Sequence, residues 1–170
     1  AGGRLDLSAW RPESDGLLRL DGEWRHFPRQ LLPPGDPALT SPAPAFAVLP
    51  DTFDAGDRDS GVLPGHGYAT YSLTVLLPGD APPLALRFSI LATAFRLWAN
   101  GELVAQAGRV ATTADDERPE FRPQIALLPP HAEGRLDLVL QVSNFHYVRG
   151  GPWEPIYIGT PAAAHAARES

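Results

Sequence analysis

Ala94-Phe95-Arg96-Leu97-Trp98-Ala99-Asn100-Gly101-Glu102-Leu103-Val104-Ala105-Gln106 is the stretch on which the fold turns. Asn-Gly supplies two successive residues that tolerate positive φ, as a type I′ turn requires, and the twist of that turn suits antiparallel strands. The stretch therefore predicts a hairpin between Ala94–Ala99 and Glu102–Gln106, with Gly108 ending the second strand. Phe95, Leu97 and Ala99 fall on one face of the first strand, and Arg96, Trp98 and Asn100 on the other.

The same period of two recurs on both sides of the hairpin. Tyr71, Leu73, Val75 and Leu77 alternate with Ser72, Thr74 and Leu76. Leu84, Leu86, Phe88 and Ile90 alternate with Ala85, Arg87 and Ser89, and Leu136, Leu138, Leu140 and Val142 with Asp137, Val139 and Gln141. This is the pattern of strands with one buried face. Tyr71 belongs with Leu73 and Val75 in the core, whereas Tyr68, an odd number of residues away, faces the other side. Trp24, behind the turn-like Asp21-Gly22, and Phe27 read as packing anchors.

Helical patterning is nearly absent, because 19 prolines and 16 glycines leave no room for long helices. Arg29–Leu32 reads as one short turn, and Pro161–Ser170 as an Ala-rich tail, a frayed helix leaving the domain. Residues 33–50 and 51–67 read as long irregular loops, a length that in compact domains often carries function. Strands, turns and few or no helices predict an all-β, antiparallel two-sheet sandwich, with a barrel as the alternative; the long crossing loops near the N-terminus favour the jelly-roll type.

A chain of 170 residues is long enough for one domain with a sizeable core. The expected division is a single β-sandwich over residues 1–160 followed by the tail at 161–170. A net charge of −6 and scattered arginines, with no lysine, argue against nucleic-acid binding. No cysteine is present, so disulfides and thiolate metal sites are excluded. The apolar runs fall far short of the roughly 20 residues of a membrane span. A start without Met reads as a trimmed or processed chain.

Ser143-Asn144-Phe145-His146-Tyr147-Val148-Arg149-Gly150-Gly151-Pro152-Trp153 is the densest set of polar and aromatic groups in the chain. It follows a strand, and strand-end loops on a rigid sheet are where recognition groups concentrate. Trp153, Tyr147, His146, Asn144 and Arg149 combine ring faces for stacking with donors and acceptors for hydroxyls, the mixture a sugar site needs. Arg122 adds a cation for an anionic ligand. Arg96 and Trp98 join the site if their sheet face is open. The alternative reading is structural. Asn144 satisfies backbone groups at a strand end, His146 is a hydrogen-bonded core histidine, Gly150-Gly151 permits a tight turn, and Arg149 pairs with an acidic residue.

Catalytic signatures are missing. The five histidines, His26, His66, His131, His146 and His165, are dispersed, without metal-site spacing. There is no Gly-x-Ser-x-Gly elbow and no phosphate loop. Asp115, Asp116, Glu117 and Glu120 read as a solvated acidic loop. The chain is therefore expected not to be an enzyme.

Four motifs in order carry a family resemblance: Leu20-Asp21-Gly22-Glu23-Trp24 with Phe27; Gly67-Tyr68-Ala69-Thr70-Tyr71; Ala99-Asn100-Gly101-Glu102 with Gly108; and Ser143-Asn144-Phe145-His146 with Arg149-Gly150-Gly151. Together they resemble the periplasmic sensory domain of bacterial seven-transmembrane receptors with diverse intracellular signalling modules. The motif order is also similar to the N-terminal sugar-binding sandwich of family 2 glycoside hydrolases, whose catalytic carboxylates lie in a separate barrel. The last motif favours the receptor family. The resemblance spans about Leu18 to Gly159 and implies a galactose-binding-like jelly roll, a periplasmic location, a membrane module after the tail and a cytoplasmic output. By the same analogy a structural calcium ion could use Asp51, Asp54, Asp57 and Asp59; their spacing is not that of an EF-hand, and a flexible acidic loop is the plainer reading. No other cofactor is implied.

Three functions follow. The first is a ligand-sensing ectodomain taking a carbohydrate or other small polar ligand. The second is a protein-interaction module, including a homodimer. The third is a carbohydrate-binding accessory domain of a glycosidase.

Overall fold

The computed structural model describes residues 3–39, 45–49, 67–88, 94–107, 124–129, 134–144 and 156–168. The strands are β1 (Arg4–Asp6), β2 (Leu18–Arg19), β3 (Gly22–Pro28), β4 (Ala45–Leu49), β5 (Gly67–Leu76), β6 (Ala85–Phe88), β7 (Ala94–Ala99), β8 (Glu102–Ala107), β9 (Gln124–Leu127), β10 (Arg135–Asn144) and β11 (Tyr157–Gly159). Two short helices, α1 (Pro12–Asp15) and α2 (Pro161–Arg168), and a 3-10 turn at Pro37–Leu39 complete the described elements.

The strands form two sheets. The larger runs β4-β3-β5-β10-β7-β8, with β1 added beside β5, and the smaller runs β2-β11-β6-β9. All the pairings are antiparallel except β1 with β5. One core lies between the sheets. Trp24, Tyr71, Leu73, Val75, Phe95, Leu97, Leu136, Leu138, Leu140 and Val142 from the larger sheet meet Leu86, Phe88, Ala126 and Ile158 from the smaller. The protein is therefore a β-sandwich whose inner residues are those the alternation selects. Phe88 and Phe95 close the layer edge to face at 5.4 Å. Trp24, fully buried, donates its indole N–H to the Leu20 carbonyl at 3.2 Å.

The Asn-Gly hairpin forms as expected, with φ of +48° at Asn100 and +85° at Gly101. A register shift at Leu97/Trp98 lets Trp98 face Leu103 while Leu97 faces Ala105, as a β-bulge does. Tyr71 is buried at the core and Tyr68 half-buried.

Several expectations need correction. Residues 33–50 are not irregular throughout: Pro37–Leu39 makes a 3-10 turn, and Ala45–Leu49 pairs with β3 as an edge strand. Five residues between prolines are too few for alternation to register. Arg29–Leu32 does not form a helical turn; Arg29 takes φ of +57° as β3 ends. Pro161–Arg168 is helical, as the Ala-rich tail suggests, and is started by Thr160, whose hydroxyl accepts the Ala163 N–H at 3.1 Å with Pro161 in the first turn; what needs correction is that it does not leave the domain. The helix packs on β6, β9 and β11 and buries Ala164 completely.

The outer face of the larger sheet is also partly covered. Phe27 and Val139 pack with Leu32 and Leu39 in a second small cluster that Trp98 abuts. Its cover is the irregular segment 29–39, held by Thr70. The Thr70 hydroxyl accepts from the Leu32 N–H at 2.9 Å and donates to the Gln30 carbonyl at 2.7 Å. A fully buried threonine thus clamps a strap across the sheet.

Candidate functional site

The strap and the strands beneath it bound a groove of about 650 Å³ on the outer face of the larger sheet. This volume lies within the usual range for small-molecule sites. Each wall follows from strand register. On β5, Ser72 and Thr74 point outward, two and four residues beyond the Thr70 clamp. Arg25 lies opposite Ser72 on β3, Val139 opposite Ser72 on β10, and Asp137 opposite Thr74. Pro34, Gly35, Asp36 and Leu39 form the strap side, and Asn100-Gly101 closes one end.

A network centred on Asp137 orders the floor. Thr74 Oγ1 donates to Asp137 Oδ1 at 2.9 Å, and Arg135 Nε contacts Asp137 Oδ2 at 3.1 Å. Asn100 ties the hairpin to β10: its N–H donates to the Asp137 carbonyl at 2.9 Å, its Oδ1 accepts the Asp137 N–H at 2.7 Å, and its Nδ2 donates to the Arg135 carbonyl at 3.3 Å. Asparagine therefore serves both the turn and the neighbouring strand. On the opposite side Arg25 Nη1 donates to the Leu39 carbonyl at 2.8 Å. Asp36 closes its own turn by accepting the Ala38 N–H at 2.9 Å.

A smaller recess of about 200 Å³ adjoins the groove and shares Arg25, Thr74 and Arg135 with it; Gly3 and Arg4 complete its lining. Here β3 gives way to β1 beside β5, and Arg4 pairs in register with Thr74. The Ser72 hydroxyl, in a residue only 4% exposed, lines the groove and has no hydrogen-bond partner among the described residues.

The arrangement presents guanidinium and hydroxyl donors, an amide and two carboxylates around one depression. It suits a small polar ligand carrying hydroxyls and negative charge. Among the described residues no three histidine, aspartate or glutamate side chains are grouped to hold a metal ion.

His26 is buried in the sandwich core, not in the groove. Its ring stacks on Tyr71 at 4.8 Å with an interplanar angle of 4°. Nε2 has no partner among the described residues. Burial, with the nearby Arg29 charge as second cause, pushes its pKa down from 6.5 to about 4.

Of the residues singled out from sequence, Arg96 and Trp98 share the outer face of β7, opposite Gln141 and Val139 of β10. Trp98 packs against the cluster beneath the strap, so packing claims much of its ring. Asn144 ends β10, paired with Gly67. His146, Tyr147, Arg149, Trp153 and Arg122 lie outside the described residues, as do the loop with Asp51, Asp54, Asp57 and Asp59 and the run from Asp115 to Glu120. The groove occupies the opposite end of β10 from Asn144, with Asp137 seven residues and roughly 24 Å away at the rise of an extended strand. Sequence reasoning missed Arg25, Ser72, Thr74, Asn100, Arg135 and Asp137 as a site. Their signal was the run of hydroxyls at Thr70, Ser72 and Thr74 on one face of a strand whose other face carries Ala69, Tyr71, Leu73 and Val75.

No protein-family model and no curated protein sequence matches the chain. Solved structures do. A Ruminococcus gnavus β-glucuronidase superposes with a TM-score of 0.60 at 17% identity over 91% of this chain and 30% of its own. The same enzyme in complex with D-glucaro 1,5-lactone gives 0.58 at 16% identity over 85% of this chain and 29% of its own. A Bacteroides fragilis protein assigned as a β-galactosidase gives 0.57 at 15% identity over 84% of this chain and 22% of its own. The chain thus spans less than a third of the length of these structures, and the likeness is one of fold: a β-sandwich resembling a domain of family 2 glycoside hydrolases.

Proposed function

We propose that this chain is a non-catalytic ligand-binding sandwich of the galactose-binding-like jelly-roll type. It serves as the periplasmic sensory domain of a membrane-anchored bacterial receptor. A carbohydrate or other small polar ligand occupies the groove, and occupancy biases an output across the membrane by favouring one of two arrangements of the receptor. The observation that carries the reading is the groove itself, a depression of ligand size whose floor is an ordered network of Asp137, Thr74, Arg135 and Asn100. The receptor assignment rests on the four ordered motifs. No helix among the described residues is long and apolar enough to cross a membrane; in the receptor reading a separate membrane module carries the anchor.

The second reading, a carbohydrate-binding accessory domain of a glycosidase, is favoured by the likeness to β-glucuronidase structures of which the chain covers about 30%. A catalytic barrel encoded after residue 170, in place of a hydrophobic helical region, would establish it.

The test is a thermal-shift screen of the protein with neutral sugars, uronic acids, peptidoglycan fragments and calcium, repeated on Arg135→Glu and Arg149→Ala. A ligand that binds only the folded chain raises Tm in a saturable way. A shift abolished by Arg135→Glu and kept by Arg149→Ala locates the ligand in the groove; the reverse locates it at residues 143–153. No shift with any compound refutes ligand sensing and leaves the interaction module.

A further inference from the structure

We propose that residues 33–38 form a flap over the groove, latched by Arg25, and that the latched flap hides the groove's deepest contact, the Ser72 hydroxyl. The inference rests on the ligand-binding reading and deepens it by naming the element that controls access to the site.

The strap is fastened unequally at its two ends. At its entry Leu32 is buried, and Thr70 Oγ1 bonds both the Leu32 N–H at 2.9 Å and the Gln30 carbonyl at 2.7 Å. At its exit Leu39 is buried, and its carbonyl accepts from Arg25 Nη1 at 2.8 Å. Thr70 is fully buried, whereas Arg25 is half-buried. Water competes for the more exposed bond, so the exit is the end that releases first.

Between those ends the segment is bonded to itself. The Asp36 N–H donates to the Pro33 carbonyl at 3.2 Å, Asp36 Oδ1 accepts the Ala38 N–H at 2.9 Å, and the Leu39 N–H donates to the Asp36 carbonyl at 2.9 Å. Pro33, Pro34 and Pro37 fix φ at their positions, and Gly35 completes the turn with φ of +86°. A stiff, self-bonded turn moves as a body about its ends, as active-site loops do. Pro34, Gly35 and Asp36 form one wall of the groove, so its movement opens the groove.

Ser72 supplies the second, independent observation. The residue is 4% exposed and lines the groove, yet its buried Oγ has no partner among the described residues. It stands opposite Arg25 on one side and Val139 on the other, and Val139 belongs to the cluster that holds Leu39. The latch residue and the seat of its leucine therefore flank this hydroxyl. A buried hydroxyl without a partner costs free energy. Opening relieves that cost through water, and a ligand oxygen would relieve it in the reclosed groove. One element with two arrangements, biased by occupancy, is what a ligand-driven population shift requires.

The chain has no cysteine, so Ser72→Cys places a unique thiol beneath the flap with little change of shape. The test times its alkylation by iodoacetamide in the whole protein without ligand. Val75→Cys, at a fully buried position on the other face of the same strand, reports global unfolding. Urea unfolding of each variant gives the rate that global unfolding alone permits. Ser72→Cys should react at least about tenfold faster than that rate, and Val75→Cys no faster. Adding Arg25→Gln should speed the labelling of Ser72→Cys about tenfold further, as loss of a charge-assisted bond requires, and leave Val75→Cys tied to global unfolding. Each saccharide of the thermal-shift panel that raises Tm should, at saturation, slow the labelling of Ser72→Cys. If Ser72→Cys does not fold, Val139→Cys takes its place, since Val139 lies opposite Ser72 in the register. Labelling of both thiols at the global-unfolding rate overturns the flap, and a rate indifferent to Arg25→Gln overturns the latch; either leaves ligand binding standing. A saccharide that raises Tm without slowing the labelling overturns control of access. If no saccharide raises Tm, the ligand reading falls and the flap's role falls with it, however fast the thiol reacts.

Discussion

Acidification should destabilise this protein through one residue, His26, well before its carboxylates titrate. The ring is 5% exposed, stacks on Tyr71 inside the sandwich and has no partner for Nε2 among the described residues. Protonation there would put a charge into the apolar core, so the folded chain holds the pKa down to about 4, whereas the unfolded chain titrates near 6.5. Above pH 6.5 neither state binds the proton, and the neutral ring's contribution to stability is intact. Between those values the unfolded chain binds a proton that the folded chain refuses, so stability falls as pH falls. Linkage gives roughly 2 kcal/mol lost at pH 5 and roughly 3 kcal/mol at pH 4. For a chain of this length each kcal/mol moves Tm by about 2–4 °C, so the loss at pH 5 reads as about 4–8 °C.

His26→Phe isolates the effect. Phenylalanine keeps the stack on Tyr71, fills nearly the same space and removes the unpartnered nitrogen. At pH 7.5 the variant should be at least as stable as the parent, because replacing an unsatisfied buried group with an apolar one is neutral or favourable. Melting both proteins at intervals from pH 7.5 to 4.5 gives the assay. The gap between the two curves should widen steadily below pH 6.5, in favour of the variant, since every other titrating group is common to both. Parallel curves across that range would refute the reasoning, for they would mean that His26 titrates alike in the folded and unfolded chains.

Thr70→Val should cost about 2 kcal/mol or more in urea unfolding, because it leaves the Leu32 N–H and the Gln30 carbonyl without their shared hydroxyl. The loosened strap should also weaken ligand binding in titration. Gly134→Ala should destabilise by at least about 2 kcal/mol in the same assay, since Gly134 takes φ of +73° and an added Cβ would stand 2.5 Å from the Leu77 carbonyl oxygen. Gly3→Ala should destabilise in the same assay, since Gly3 takes φ of +83° and the new Cβ would stand 2.6 Å from Cγ of Arg25; an unchanged urea midpoint would show that the Arg25 stem can move aside without cost.

The inner layer of the sandwich was legible because it is local. Tyr71, Leu73 and Val75, and Leu136, Leu138, Leu140 and Val142, each declare a face through their own neighbours, and Asn100-Gly101 declares its turn through φ. The outer layer was not legible for the opposite reason. Ser72, Thr74 and Gln141 read as solvent-facing, yet all are buried, because a Pro-rich strap without periodicity crosses above the sheet and the partner groups come from far along the chain. The edge strand Ala45–Leu49 escaped for lack of length. Residues 143–153 drew the first choice of site because their side chains are dense in sequence, whereas the groove is assembled from residues that are sparse in sequence and dense only in space.

The groove's position follows from how the larger sheet is completed. Along β5, β3 covers one edge from Ala69 to Ser72 and β1 covers it from Thr74 to Leu76. Gly3 joins the two: its N–H donates to the Glu23 carbonyl at 3.0 Å, and its carbonyl accepts the Thr74 N–H at 2.9 Å. A φ of +83° and the Arg25 stem lying directly over its α-carbon both require glycine at that place. A handover between strands breaks the regular ladder and leaves a gap in the cover of the sheet. Here the gap is bordered by Arg4 from the incoming strand and Arg25 from the outgoing one, with Arg135 opposite. The irregularity that closes the fold at this edge is thus also what assembles the cationic recess, and any ligand held there would bridge β1, β3 and β10. Such a ligand would stabilise the attachment of the N-terminal strand to the sheet, giving occupancy a mechanical consequence at one end of the chain.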